Sequence, residues 1–206
     1  MTSLQAAVEA IRRGGVVIYP TETLYGLGAN ALQPEAAARV CRLKGRPESK
    51  PLPLVVGSRE QVGLVTDLED ADFIRLADIF WPGPLSIIVP ARPELAPQVQ
   101  DAAGFSSLRW TAHATAATLC LESGAPLIAT SANLSGRPAA ARPEELDPVL
   151  LAEVDAAVLD RPWPAGGPAS TVVRLLGAGR LEILRDGAVP AQALTDAGFR
   201  LPVQGG

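Results

Sequence analysis

Short apolar runs, each cut off by proline or glycine and separated by stretches of helical spacing, constrain this chain most. Leu4, Ala7, Val8 and Ile11 recur at helical intervals over residues 3–13, and Gly14-Gly15 stops the pattern. Ser3 can cap such a helix, and Arg12 and Arg13 suit its negative end. Val16-Val17-Ile18-Tyr19 follows at once as a fully apolar run, halted by Pro20. The same alternation continues down the chain. It predicts helices over 34–43, 69–80, 113–123 and 148–154, and strands over 52–56, 85–89, 105–110, 127–129 and 156–159. Residues 171–175 and 181–185 read as a hairpin across Gly177-Ala178-Gly179. Residues 21–28 read as a polar turn running into glycines. Interleaved helices and strands predict an α/β fold with a mixed sheet, whose ligands gather where strands end and backbone donors are unpaired.

The 206 residues show no composition break, which predicts one domain with a loose C-terminal tail from residue 201. Cys41 and Cys120 stand far apart, and with one histidine they make a structural zinc site a poor expectation. The longest uncharged stretch, 123–136, is short of the ~18 residues that span a bilayer and contains Pro126. No membrane association is expected, and the expected location is the cytoplasm. A net charge of −4 argues against a surface that coats itself in nucleic acid, although a local cationic cleft can still hold phosphates.

Such a cleft is signalled by Lys44-Gly45-Arg46-Pro47-Glu48-Ser49-Lys50-Pro51. Of 18 basic residues only Lys44 and Lys50 are lysines, and both fall in this loop beside Arg42 and Arg46. Clustered cations need a compensating anion or abundant water, and the lysine usage favours an anion, the phosphates of a nucleotide. Thr130, Ser131, Asn133 and Ser135 crowd one small-residue loop, and Ser170-Thr171 repeats the pattern at the mouth of another strand. Arg109 ends an apolar strand, where a buried charge must be paired; a salt bridge and a clamp on a ligand carboxylate both satisfy it.

Other motifs carry less. Gly26-Leu27-Gly28-Ala29-Asn30-Ala31 matches the dinucleotide pattern, but the strand, helix and acidic residue that pattern requires are misplaced, so the glycines read as packing positions. There is no phosphate-binding P-loop. His113 lacks a nucleophile elbow and reads as a structural histidine at a helix start.

Five segments in order resemble the YrdC/TsaC family, the threonylcarbamoyl-adenylate synthases of tRNA modification. They are Pro20-Thr21-Glu22-Thr23-Leu24-Tyr25-Gly26-Leu27-Gly28, the lysine loop with Leu52, Trp81-Pro82-Gly83-Pro84-Leu85, Ser131-Ala132-Asn133-Leu134-Ser135-Gly136 and Ser170-Thr171-Val172-Val173. The similarity runs from residue 4 to about 189 and is to the short, single-domain type. It implies an open, twisted sheet with flanking helices and a basic central cavity. It also implies that L-threonine, bicarbonate and ATP are converted to threonylcarbamoyl-AMP and pyrophosphate for the t6A modification of tRNA. Thr23, Arg109 and Ser170 would then hold threonine. Lys44, Arg46, Lys50, Ser131, Asn133 and Arg185 would hold the nucleotide, Lys44 and Arg46 acting in catalysis, with Mg²⁺ held by the ATP phosphates. Downstream threonylcarbamoyl-transfer proteins and a weak tRNA contact are the implied partners. The same domain leaves two rival readings, an RNA-binding module and a different carbamoyl-adenylate enzyme. The chain departs from many members at Lys50, Val55, Trp110-Thr111 and Arg174.

Overall fold

Helix α1, Ser3–Arg12, buries Ala7, Val8 and Ile11 of the expected stripe and Ala10 beside them, while Leu4 is half-buried. Burying Ile11 alone contributes about 1.5–3 kcal/mol. Strand β1, Val17–Pro20, is buried along its whole length. A computed structural model describes the chain over residues 3–47 and 50–202. Of the tail expected from 201, residues 203–206 lie outside the described residues, as do Glu48 and Ser49 of the lysine loop.

The expected turn at 21–28 is half strand. β2, Tyr25–Gly28, runs antiparallel to β1, with Gly26 opposite Tyr19 and Gly28 opposite Val17. Its glycines answer to crowding. A Cβ on Gly28 would stand 1.9 Å from the Ile128 carbonyl oxygen, and one on Gly26 3.3 Å from Tyr19 Cζ. At Gly28 only a bare backbone passes and at Gly26 the fit is tight, so β2 lacks the branched side chains by which a strand is usually read.

Helix α2, Pro34–Lys44, starts on proline and ends at Gly45, whose φ of +59° suits glycine. The Gly45 and Arg46 amides close it on the Arg42 and Cys41 carbonyls, each at 3.0 Å. After β3, Leu54–Val56, comes α3, Arg59–Val62, too short to register as periodicity. Helix α4, Ala71–Phe80, begins later than its spacing predicts because the Asp70 carboxylate accepts from the Asp72 and Phe73 amides, a cap worth about 1 kcal/mol. The chain continues through β4, Leu85–Pro90, β5, Phe105–Trp110, and α5, Ala114–Ser123. β6, Leu127–Ile128, and β7, Thr130–Ser131, lead to α6, Pro148–Glu153, and β8, Ala156–Ala157. β9, Thr171–Gly177, and β10, Arg180–Arg185, form the expected hairpin before α7, Ala191–Asp196.

Among the described residues the strands form two open mixed sheets rather than one, ordered β7-β2-β1-β8 and β10-β9-β4-β5-β3-β6. They meet where β6 hands over to β7. The Ile128 amide donates to Ala29 O at 2.9 Å, Ala31 N to Pro126 O at 3.0 Å, and Ala129 N to Pro53 O at 2.8 Å. Strand alternation then sorts the larger sheet. Ile87, Leu108 and Val173 enter the main core, while Ser86 and Arg109, on the opposite parity, face a cavity. A second core unites α1 and α5 with Tyr19, Val55 and Leu127.

Candidate functional site

The cavity, about 290 Å³, lies at the junction of the sheets. Tyr25 and Gly26 reach it from the small sheet, Leu54 and Val55 from the large one, and the 129–131 segment that joins them forms a wall. Its charged lining is Lys44, Arg46, Arg109 and Arg185, with Thr21, Thr23, Ser86, Thr130, Ser131 and Ser170 supplying hydroxyls. Among the described residues no carboxylate is part of that lining.

Lys44 is only 5% exposed, at the last residue of α2. Its Nζ donates to Ser131 O at 2.6 Å and Asn133 O at 3.0 Å, and shares its remaining proton capacity between Ser131 Oγ at 3.2 Å and Asn133 Oδ1 at 3.1 Å. The Lys44 carbonyl in turn accepts from the Ser135 amide and hydroxyl, at 3.1 and 2.8 Å. The 131–135 loop is thus wrapped around one residue. Four neutral oxygens solvate the ammonium but bring it no countercharge. Burial, and secondarily Arg46, push its pKa down to about 8. An anion that reaches Nζ must replace one of the two side-chain oxygens, the longer contacts.

Arg46 fastens its own loop, Nε donating to Lys50 O at 3.1 Å and Nη2 to Pro51 O at 2.9 Å. Arg185 clasps Ser170, with Nε and Nη2 on the Ser170 carbonyl at 3.0 and 2.8 Å and Nη2 on its hydroxyl at 3.0 Å. Desolvation of its head, then Arg109 and Arg46, depress the Arg185 pKa. Ser170 Oγ also lies 3.1 Å from Ser86 Oγ.

Arg109 has the partner that sequence could not assign. Its Nη1 donates to Glu22 Oε2 at 2.6 Å, and the two side chains are 7% and 14% exposed. Glu22 Oε1 accepts from the Ala112 amide at 2.7 Å. Burial alone would raise the Glu22 carboxyl; Arg109, the Glu22 and Ala112 amides and the Thr111 hydroxyl outweigh it and hold the pKa below its ordinary value. The salt-bridge alternative is therefore realised, yet Arg109 still lines the cavity. Glu22 carried a sequence signal only as part of the Thr21-Glu22-Thr23 run, since its partner is 87 positions away.

Thr23, Lys44, Arg46, Arg109, Ser131, Ser170 and Arg185 are thus brought together. Asn133 stands behind Lys44 rather than in the lining, and Lys50 is exposed outside it. His113 precedes α5, buried, with Nε2 donating to Pro162 O at 3.1 Å and its pKa lowered first by that burial. Both cysteines are buried, and burial raises Cys120 to about 12, which leaves it an inert thiol. Among the described residues no cluster of three metal-ligating side chains occurs, and no helix is long and apolar enough to cross a membrane.

Fold and site together define an α/β protein with a cation- and hydroxyl-lined cavity at strand ends, suited to an anionic ligand. The chain belongs to the Sua5/YciO/YrdC family, whose model, described as "Telomere recombination", matches residues 9–187. It is 38% identical over 186 residues to a threonylcarbamoyl-AMP synthase of Xanthomonas campestris, covering 89% of this chain and 97% of that protein. Its identity to the Stenotrophomonas maltophilia protein of the same name is 40% over 155 residues, 74% of this chain and 83% of the other. The crystal structure of P. abyssi Sua5 complexed with L-threonine superposes with a TM-score of 0.86 at 30% identity, over 96% of this chain. This chain spans 58% of that longer one.

Proposed function

We propose that this protein is a threonylcarbamoyl-AMP synthase, a nucleotidyltransferase that joins L-threonine, bicarbonate and ATP and releases pyrophosphate. The observation that carries the reading is the cavity itself: among the described residues four cations and six serine and threonine hydroxyls converge on it, with no carboxylate in the lining. Relatives named for this reaction, and one solved with L-threonine, say which anions to try.

The chemistry asks little covalent work of the protein. Threonine's amine and bicarbonate give a carbamate with loss of water. A carbamate oxygen then attacks the α-phosphorus of ATP, the bond to the bridging oxygen breaks, and pyrophosphate leaves with its electron pair. The substrate supplies its own nucleophile, so the rate must come from alignment and from charge placed around the departing phosphates. Lys44, Arg46 and Arg185 are the cations for that task, with Ser131 in the adjoining wall and Asn133 holding Lys44. Thr23, Arg109 and Ser170 form the end assigned to threonine. Mg²⁺ would arrive on the triphosphate, held by its phosphate oxygens, because the wall offers hydroxyls rather than carboxylates. The adenylate product is a reactive mixed anhydride, best passed at once to a threonylcarbamoyl-transfer protein in the cytoplasm that acts on tRNA; a weak contact with that tRNA belongs to the same reading.

An omission series tests this. Pyrophosphate should accumulate only when threonine, bicarbonate and Mg-ATP are all present. Cleavage of ATP to ADP and phosphate, or equal turnover without threonine, would contradict it.

A further inference from the structure

We propose that Glu22 is a positioning residue that aims Arg109, so that one edge of the guanidinium is reserved for the carboxylate of the amino-acid substrate. The proposal rests on the threonine-binding reading above and deepens it. A guanidinium presents two bidentate edges, Nε with Nη2 side-on and Nη1 with Nη2 end-on. Glu22 takes Nη1 at 2.6 Å. Among the described residues no hydrogen bond engages Nε or Nη2, and Arg109 lines the cavity. Nε and Nη2 together form the side-on fork that grips a carboxylate through two parallel bonds. A buried guanidinium with that edge unpaired is a prepared seat.

Glu22 is itself held from several sides. Its Oε1 accepts from Ala112 N at 2.7 Å, just past the end of β5. Its backbone carbonyl accepts from Ala165 N at 3.0 Å, and the neighbouring Thr23 carbonyl from Gly166 N at 2.9 Å. A carboxylate pinned by the strand that carries Arg109, and by the 165–166 loop, cannot follow the guanidinium if it swings. Arg109 therefore has one orientation available. Thr23, adjacent to Glu22, lines the same cavity.

Two effects of Glu22 oppose each other. Its negative charge beside Arg109 weakens the attraction for an incoming anion, so by Coulomb's law its removal should tighten threonine binding. Its grip fixes the fork, so by orientation its removal should loosen threonine binding. The arrangement assigns the larger effect to orientation, because a bidentate contact fails as a whole when the plane rotates. ATP, held by other cations, does not depend on that plane.

Calorimetric titration of threonine alone and of Mg-ATP alone into the wild type, Glu22→Gln and Glu22→Asp decides the matter, with a thermal melt on each. Gln keeps the length and an oxygen for Ala112 N but loses the charge. Asp keeps the charge but is a methylene too short to bridge Ala112 and Arg109. Both should weaken threonine at least tenfold and leave ATP within threefold of the wild type. Threonine bound equally well or more tightly by Glu22→Gln overturns the proposal, as does parallel weakening of both ligands. Should Glu22→Gln not fold, Glu22→Asp carries the same thresholds; should neither fold, Glu22 is a structural residue and the proposal is wrong. A wild type that binds ATP but no threonine overturns the substrate reading itself, an outcome separate from an effect confined to the variants.

Discussion

The environment of Lys44 makes ATP binding pH-dependent in a direction that can be worked out. Among the described residues four neutral oxygens and no carboxylate surround its ammonium, and burial brings its pKa to about 8. Phosphates favour the charged form, so the pKa must rise in the complex, and affinity must fall as pH climbs through the free-state value. With a midpoint near 8, ~90% of Lys44 is charged at pH 7 and ~10% at pH 9. The population able to bind drops about tenfold, or about 1.4 kcal/mol. The phosphates do not confound this, since their last ionisation, near pH ~6, is complete across the window. Titrating Mg-ATP into the protein from pH 7 to pH 9 should show that tenfold loss. Lys44→Arg, charged throughout, should bind more weakly at pH 7 but lose little further by pH 9. Parallel pH profiles for the two proteins, or a flat wild-type profile, would refute the reasoning.

Three further outcomes follow from the geometry. Arg109→Lys keeps the charge but cannot present a fork, so threonine should weaken at least about tenfold and ATP far less; equal losses in binding assays would mark Arg109 as purely structural. Lys50→Ala should change stability by less than ~0.5 kcal/mol and the Kd for ATP by less than about threefold, because Lys50 is exposed outside the cavity lining; a larger shift would return it to the site. Gly28→Ala drives a Cβ to 1.9 Å from Ile128 O and 2.8 Å from Tyr19 Cε1, at a cost of about 3 kcal/mol or more in urea unfolding. Gly63→Ala, with 3.4 Å to the nearest atom, should fall within about 1 kcal/mol as the control.

What could be read from the sequence divides along local and distant causes. The α1 stripe, the buried β1 and the β9–β10 hairpin follow from periods and turn residues within a few positions of one another. β2 did not, because the identity of Gly26 and Gly28 is set by Tyr19 and Ile128 rather than by strand propensity. The division into two sheets was equally hidden: it depends on where residues 126–131 change partners, and alternation is blind to partners. At the site, unusual lysine usage singled out Lys44 and Lys50 alike, and of the two only Lys44 is buried. Nor could spacing show that Lys44 has its donors occupied by the 131–133 loop, or that Arg109 rests on Glu22. Both are contacts across more than 80 residues.

The central claim is that one cavity assembles a carbamoylated amino acid onto adenylate. Incubating the protein with ¹³C-bicarbonate, L-threonine and Mg-ATP, and weighing the adenylate product at once by mass spectrometry, tests it most directly. A threonylcarbamoyl-AMP ion one mass unit heavier than with unlabelled bicarbonate should appear together with pyrophosphate. An adenylate without the label, or ADP and phosphate as the only nucleotide products, would contradict it.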